Sequence, residues 1–218
     1  MLLSTHVSAQ FVNWGRFGSP LSDREKYNQE GMQAYQQGDY RQAERLLVLA
    51  RQEAEKLGPE DPRLATTLNN LAQVYHAQGK YEEAEPLYQR SLAINEKALG
   101  KDHSVVAGDL NNLAQLYHDL GKYDEAEALY TRTLAIIDKG LAEGLLLPEH
   151  PYVAGTLNHL AEMYRLQGKY AEAEPIYKRS LATMEKSQGA QSANLVKSLN
   201  HLAEMYRLQG KYAEADPL

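Results

Sequence analysis

The sequence predicts an all-α fold in which one helix pair is repeated about five times along the chain. The string Leu-Asn-Asn-Leu-Ala, or Leu-Asn-His-Leu-Ala, stands at 68–72, 110–114, 157–161 and 199–203, with spacings of 42, 47 and 42 residues. A fixed period of this length indicates a solenoid, in which each unit buries its apolar face against the next unit. A second marker, glycine, then lysine or aspartate, then tyrosine, recurs at nearly the same spacing and starts at Gly38, Gly79, Gly121, Gly168 and Gly210.

Each unit begins with an amphipathic helix. In the second unit the apolar residues follow the i, i+3, i+4, i+7 spacing of one helical face. Gly79 follows and is expected to end this helix in the left-handed conformation. The apolar positions of the face are Leu68, Leu71, Ala72 and Tyr75.

A second helix completes the unit after Tyr81 and ends near Leu99–Gly100. Other sequence signals predict where helices begin. Ser22 with Glu25 matches a capping box at the start of the first helix. The pairs Asp61-Pro62 and His150-Pro151 read as a capping residue followed by proline in the first turn. The apolar stripe of the second helix is Ala84, Leu87, Tyr88, Ser91 and Leu92.

Composition excludes several classes of protein. The 218 residues contain no cysteine, which removes disulfide scaffolds, cysteine metal ligands and cysteine nucleophiles. The formal net charge of −6 argues against nucleic acid as the main partner, because phosphate binding needs a concentrated basic surface. No apolar run approaches the roughly 18–20 residues of a membrane span, so none is expected.

Tyrosine is over-represented, with 15 residues against two phenylalanines and one tryptophan. Most tyrosines fall in three positions of the repeat, so we interpret them as packing residues whose hydroxyls reach a partner at the helix edge. The three sets are Tyr75, Tyr117, Tyr164 and Tyr206; Tyr40, Tyr81, Tyr123, Tyr170 and Tyr212; and Tyr88, Tyr130 and Tyr177.

The repeat resembles a known family. In the second unit the matching residues are Ala72, Tyr75, Gly79, Tyr81, Ala84 and Tyr88. This pattern resembles the tetratricopeptide repeat, and the 42-residue period with the string Glu-Ala-Glu-Pro-Leu-Tyr at 83–88 resembles the kinesin light chain-like type found in bacterial proteins. The resemblance implies a right-handed α-solenoid of about five helix-turn-helix repeats, the last one incomplete. The first unit departs from the pattern, since Gly31 takes the place of the alanine.

The resemblance divides the chain into an N-terminal tail or cap at 1–21 and a repeat array at 22–218. The tail holds Phe11, Trp14 and Phe17. We expect it to be either a tail that is disordered or packs its aromatic side chains on the first helix as a cap, or a truncated export signal, and a cytoplasmic location is favoured. The incomplete last unit indicates either a fragment of a longer array or an end covered by another chain, for example by end-to-end self-association. The predicted units are about 22–60, 61–102, 103–149, 150–191 and 192–218.

One face of each first helix is polar. In the second unit Thr66, Asn70, Gln73 and Ala77 lie opposite the apolar face, and this side should line the concave surface of the solenoid. Across the units these residues and their flanking neighbours form four ladders. The ladders are Asn69, Asn111, Asn158 and Asn200; Asn70, Asn112, His159 and His201; Gln73, Gln115, Glu162 and Glu204; and His76, His118, Arg165 and Arg207.

Amide side chains both donate and accept hydrogen bonds, so they can bind an extended peptide backbone with little demand on its sequence. The resemblance gives this role to Asn70 and Asn112, and to the histidines that follow them in the ladder. The alternative is that the amides cap local backbone groups or bridge neighbouring helices. The second helices carry a ladder of three arginines, Arg90, Arg132 and Arg179. The resemblance implies that these arginines contact acidic side chains of the bound peptide. The alternative is that each arginine pairs with a nearby glutamate of its own protein. The candidate groove comprises Asn69, Asn70, Gln73, Asn111, Asn112, Gln115, Asn158, His159, Asn200, His201, Arg90, Arg132 and Arg179.

No catalytic motif is present: the sequence lacks His-Glu-x-x-His, a phosphate-binding glycine loop and Gly-x-Ser-x-Gly. The equivalent histidines of successive units should lie ~10 Å apart, which is poor for a shared metal, so no metal or cofactor is expected. We also expect no single polar residue to stand out from the repeats. The sequence therefore predicts a protein-binding scaffold and not an enzyme. The alternatives are a regulatory or sensor module of a larger signalling protein and a self-assembling array.

Overall fold

A computed structural model of the chain describes residues 21–144, 151–188 and 193–216. Its regular elements are helices, joined by short turns. The N-terminal tail, apart from Leu21, and His150 lie outside the described residues. The helices are α1 (Asp23–Gln36), α2 (Tyr40–Glu55), α3 (Pro62–Ala77), α4 (Tyr81–Leu99), α5 (Ser104–Asp119), α6 (Tyr123–Ala142), α7 (Pro151–Leu166), α8 (Tyr170–Gln188), α9 (Ala193–Leu208) and α10 (Tyr212–Ala215).

Successive helices pack as pairs, and each pair stacks on the next. The first helix of each pair packs against the second, and the second then packs against the first helix of the following pair. The first helices of successive pairs (α1, α3, α5, α7 and α9) also approach each other within 8 Å between Cα atoms, whereas within the described ranges the second helices do not. The stack therefore curves towards its first helices, which line the concave side.

The predicted start and stop signals hold where the chain is described. The Glu25 amide donates to Ser22 Oγ at 3.4 Å and the Ser22 amide donates to Glu25 Oε2 at 3.0 Å, which completes the capping box. Asp61 caps α3 by accepting from the Arg63 amide at 2.8 Å. Gly79 has a φ of +73°, so the left-handed end of the first helix is confirmed.

Burial follows the predicted apolar faces. Leu68, Leu71 and Ala72 of the first helix are fully buried. In the second stripe, Ala84, Tyr88 and Ser91 are buried as well. The buried residues form several small clusters along the stack. This arrangement is expected of a solenoid, in which each unit contacts only its neighbours. No helix in the described ranges is long and apolar enough to cross a membrane.

The glycine of the first unit has a packing cause. A Cβ atom added to Gly31 would lie 2.8 Å from Leu47 Cγ and 3.1 Å from its Cδ2 atom. Helices α1 and α2 therefore approach each other more closely at this point than an alanine allows. Glycine thus stands where the repeat pattern has alanine because Leu47 occupies the space that the alanine methyl group would need.

A contact between units explains one set of tyrosines. Tyr164 Oη donates to Glu127 Oε1 at 2.8 Å, and Lys169 Nζ donates to the other oxygen of the same carboxylate at 3.1 Å. The Lys169 ammonium also lies 5.4 Å from the centre of the Tyr164 ring. The predicted role of this tyrosine hydroxyl is confirmed, and its partner is a glutamate of the preceding unit. The same contact recurs with Tyr117, Lys122 and Glu85, and with Tyr206, Lys211 and Glu174.

Candidate functional site

The concave side carries three adjoining cavities that follow the first helices. The first, of about 390 Å³, is lined by the amides of α3 and α5 together with Asp109. The second, of about 290 Å³, shares Gln73 and Asn112 with the first. The third, of about 340 Å³, shares Gln115 and Asp119 with the second and extends to α9. Together they form a groove, which we define by the residues Asn69, Asn70, Gln73, His76, Asn112, Gln115, His118, Asn158, His159, Glu162 and His201.

The first asparagine ladder joins neighbouring units. Asn69, Asn111 and Asn158 each hydrogen-bond a polar side chain on the first helix of the following unit, and Asn28 of the first unit does the same, so bridging between helices describes these asparagines. Asn200 is exposed. The contacts are Asn28 Nδ2 to Thr67 Oγ1 at 2.7 Å, Asn69 Nδ2 to Asp109 Oδ1 at 2.5 Å, Thr156 Oγ1 to Asn111 Oδ1 at 3.0 Å and Ser198 Oγ to Asn158 Oδ1 at 2.7 Å.

The second asparagine ladder is held in place by the first. Asn70 Nδ2 donates to Asn28 Oδ1 at 3.2 Å, and Asn112 Nδ2 donates to Asn69 Oδ1 at 3.0 Å. Both side chains are half-buried and line the first cavity. Because one amide hydrogen of each is fixed by the neighbouring unit, the rest of the amide group is presented at the groove in a set orientation. Gln73 is held in the same way by its hydrogen bond to Asn69 Oδ1, at 2.9 Å.

The groove changes its chemistry at the third cavity. His159 occupies the position of Asn112, and burial lowers its pKa to about 4, so that it stays neutral. Its Nδ1 atom is buried and has no hydrogen-bond partner among the described residues. His201 Nδ1 lies 3.2 Å from the Oε2 atom of Glu162.

Glu162 is one of the acidic side chains of the third cavity, which Asp119 and Lys197 also line. Its burial disfavours ionisation, but hydrogen bonds from Arg165 and Tyr177 outweigh that effect and lower the pKa of Glu162 to about 2. The Tyr177 hydroxyl donates to Glu162 Oε2 at 2.6 Å, and Arg165 Nε donates to the same oxygen at 2.8 Å. The glutamate is therefore an ionised, well-anchored hydrogen-bond acceptor on α7. Within the described chain no three His, Cys, Asp or Glu side chains come together in a way that would hold a metal ion.

The arginine ladder lies elsewhere. Arg90, Arg132 and Arg179 stand on second helices, and none of them lines the three cavities. Each is paired with an acid of the preceding second helix. To contact a segment in the groove, the guanidinium groups would have to leave these ion pairs. The pairs are Arg90 with Glu55 at 3.8 Å, Arg132 with Glu96 at 2.5 Å, and Arg179 with Asp138.

One polar residue does stand out, so the expectation that none would is wrong. Asp109 is only 2% exposed and lines the first cavity. It accepts hydrogen bonds from Asn69 Nδ2 and from Asn95 Nδ2 at 2.7 Å. The Ser91 hydroxyl lies 3.1 Å from Asp109 Oδ1 and 3.0 Å from the Ala65 carbonyl oxygen, so these two acceptors share its one hydrogen. Burial raises the pKa of Asp109 and the hydrogen bonds from these side chains oppose that rise. Aligning the units could have revealed it, because the other units have Thr67, Thr156 and Ser198 in its position.

Tyrosines also contribute to the groove. Tyr88 and Tyr130 are 1% exposed, and each lines one of the cavities. The sequence predicts them as packing residues, and their burial agrees with that role. The edge of their side chains nevertheless forms part of the concave surface. His76 packs edge-on against Tyr88 with ring centres 6.4 Å apart.

Comparison with known proteins identifies the fold. The chain is similar to BtubC from P. vanneervenii, with 26% identity and a TM-score of 0.75 over 88% of this chain and 75% of that one. It is also similar to the kinesin light chain TPR-like repeats of Podospora anserina, with 26% identity and a TM-score of 0.73 over 91% and 93% of the two chains. No curated protein matches. The predicted all-α solenoid of helix-turn-helix repeats, with kinesin light chain-like neighbours, is therefore confirmed.

The family model of the tetratricopeptide repeat matches residues 24–97, 65–139 and 152–218. These overlapping and adjoining ranges include every helix pair of the stack. Repeats of this kind generally mediate protein–protein interaction. The chain belongs to the tetratricopeptide repeat family.

Proposed function

We propose that this protein is an interaction scaffold that binds an extended segment of a partner protein in its concave groove. The main support is the orientation of Asn70 and Asn112. Each uses one amide hydrogen in a contact with the preceding unit and lines the groove with the remainder of its amide group. An amide held in this way can pair with a peptide backbone without losing much side-chain freedom on binding.

The shape and polarity of the groove agree with this function. The three cavities adjoin one another along successive first helices and share lining residues, so a single extended segment can contact all of them. Every cavity is lined by several amide or imidazole side chains, which offer hydrogen bonds to a backbone. Main-chain hydrogen bonds supply affinity in recognition of extended peptides, and pockets for side chains supply specificity.

A peptide screen tests the proposal. A displayed library of random peptides is selected against the wild-type protein, and the affinities of the selected peptides are then measured by fluorescence anisotropy. We expect the double variant Asn70→Ala, Asn112→Ala to bind them about 5- to 150-fold more weakly, since each of the two lost hydrogen bonds is worth about 0.5–1.5 kcal/mol. Thermal unfolding monitored by circular dichroism verifies that the variant is folded.

The matched control removes two exposed side chains at equivalent positions of the second helices. Glu83→Ala, Glu125→Ala alters the same two units on their other face and should leave the affinity within about twofold, as most surface substitutions do. If the asparagine variant binds as tightly as the wild type, both asparagine ladders serve packing only and the proposal is wrong. A loss of affinity in the control alone would move the binding surface to the second helices.

The arginine ladder is tested in the same assay. Arg90→Ala, Arg132→Ala removes two side chains that pair with acids of the preceding unit. If these arginines reach the partner, peptides with acidic residues lose affinity selectively. Unchanged affinity means that the ion pairs are their only role.

A further inference from the structure

The first cavity contains a carboxylate that the stacking of the units does not require. Asp109 makes the contact between α3 and α5 that a threonine or serine hydroxyl makes at the other unit boundaries. At those boundaries Thr67, Thr156 and Ser198 join the first helices at 2.7–3.0 Å. A neutral hydroxyl is therefore sufficient for this contact, and the acid needs another explanation.

The charge of Asp109 has no partner of opposite sign. Its hydrogen-bond partners are the neutral side chains of Asn69, Ser91 and Asn95. In the described part of the chain no lysine, arginine or histidine forms an ion pair with it. A buried carboxylate without a counter-charge is unfavourable, and proteins normally keep such groups only when they are paired or used.

A second residue at the same boundary also differs from its equivalents in the other units. Asn95 donates to Asp109, and the equivalent positions of the next two second helices hold Ile137 and Met184. The Met184 sulfur lies 3.7 Å from Ser198 Oγ, so these two positions face each other at a later boundary as well. The boundary between α4 and α5 has thus exchanged a hydroxyl and an apolar side chain for a carboxylate and an amide.

Both exchanged residues open onto the groove. Asp109 and Asn95 line the 390 Å³ cavity together with Asn70 and Asn112. A carboxylate offers about four lone-pair sites, of which Asn69 and Asn95 use two and the shared Ser91 hydroxyl at most a third. At least one site is left for a donor that enters the cavity, and the neighbouring asparagines can supply further acceptors. An ammonium or guanidinium group is the donor that satisfies both the free site and the missing charge.

We propose that the cavity at Asp109 is a subsite for the cationic head of a lysine or arginine side chain of the bound segment. The inference rests on the proposed function, because it assumes that a peptide lies in the groove. Asn70 and Asn112 then hold the backbone, and Asp109 selects one side chain. The subsite gives the scaffold a preference that a groove lined only by amides lacks.

The test uses peptides selected from the displayed library by the wild-type protein. We expect a basic residue at one fixed position of these peptides. Replacing that residue by norleucine keeps the aliphatic chain and removes the charge, and should weaken binding to the wild type about tenfold or more, as expected for a hydrogen bond to a charged group. Isothermal titration calorimetry measures both peptides against each protein.

Two variants of the protein, each measured with both peptides, complete a double-mutant cycle. Asn95→Ile, Asp109→Thr installs the residue types that stand at the following boundary, in Ile137 and Thr156, and is therefore expected to fold. Asp109→Asn keeps the shape of the side chain and removes its charge. With either variant the norleucine peptide should bind within about twofold of the basic peptide.

The outcomes separate the two proposals. Peptides that bind through Asn70 and Asn112 but carry no basic residue overturn the subsite and leave the groove function standing. A norleucine penalty that is unchanged in both Asp109 variants also overturns the subsite. If no peptide is selected by the wild type, or if the asparagine variant binds equally well, the groove function itself fails and the subsite fails with it.

Discussion

His159 should make the stability of this protein sensitive to mild acid. Burial in the third cavity is the main cause that lowers its pKa from 6.5 to about 4, and the nearby Lys197 adds to the effect while Asp119 opposes it. The folded protein therefore keeps His159 neutral, while the unfolded chain takes up a proton as the pH falls below 6.5. The stabilisation is complete above pH 6.5 and is lost as the pH falls towards 4.

The magnitude follows from the same two values. A pKa lower by about 2.5 corresponds to about 3 kcal/mol when the full interval is crossed, at about 1.4 kcal/mol per pH unit. Between pH 7.5 and pH 5 the expected loss is about 2 kcal/mol. The carboxylate of Glu162 contributes little in this range, because its pKa of about 2 places its own loss below pH 4.5.

Replacing His159 by asparagine, the residue type of Asn112 at the same position, isolates this contribution. Urea unfolding of the wild type and of His159→Asn is measured at pH 7.5, 6.5, 5.5 and 5.0. The wild type should lose about 2 kcal/mol more than the variant over this range, whatever the difference between them at pH 7.5. Parallel curves for the two proteins would show that His159 is as easily protonated in the folded state as in the unfolded one, and the reasoning from burial would be wrong.

Two further predictions concern packing. Gly31→Ala should destabilise the protein by about 1–3 kcal/mol because the new methyl group meets Leu47 at 2.8 Å, while Gly155→Ala, with no atom within 4 Å of the new Cβ, should stabilise α7 by about 0.5–1 kcal/mol. Urea unfolding of both variants checks the opposite signs, and equal effects would contradict the packing argument. Tyr164→Phe removes the hydrogen bond to Glu127 and should lower the free energy of unfolding by about 1 kcal/mol; a neutral change would mean that water replaces the hydroxyl.

The fold could be predicted from sequence because its determinants are local and repeated. The apolar positions of one helix pair, such as Leu68 and Leu71, are enough to identify its buried face, and the left-handed glycine at 79 ends the first helix as expected. In a solenoid each unit packs only on its neighbours, so the same local pattern, copied along the chain, also specifies the global arrangement. The capping box at Ser22 is local in the same sense.

The contacts of the site were harder to predict because they join residues about 40 positions apart. The helical periodicity places Asn69 and Asn70 beside each other on the same polar side. Only the next unit decides that Asn69 turns towards Asp109, whereas Asn70 is tied back to Asn28 of the preceding unit. The ion pairs of the arginines, for example Arg132 with Glu96, likewise depend on the offset between units. A pattern read within one unit contains no information about that offset.

The exceptions to the repeat are therefore more informative about specificity than the repeat itself. A side chain that recurs at every boundary, as the asparagine of the first ladder does, is explained by stacking, because each boundary needs the same contact. A side chain that breaks the series is not explained in this way. Asp109 places a carboxylate where a hydroxyl suffices, and from His159 onwards the second ladder has an imidazole where the earlier units have an amide. Both exceptions line the concave groove, one in the first cavity and one in the third. Since one end of the groove presents amides and the other imidazoles, a bound segment gains different contacts in its two directions, and the groove can favour one direction over the other.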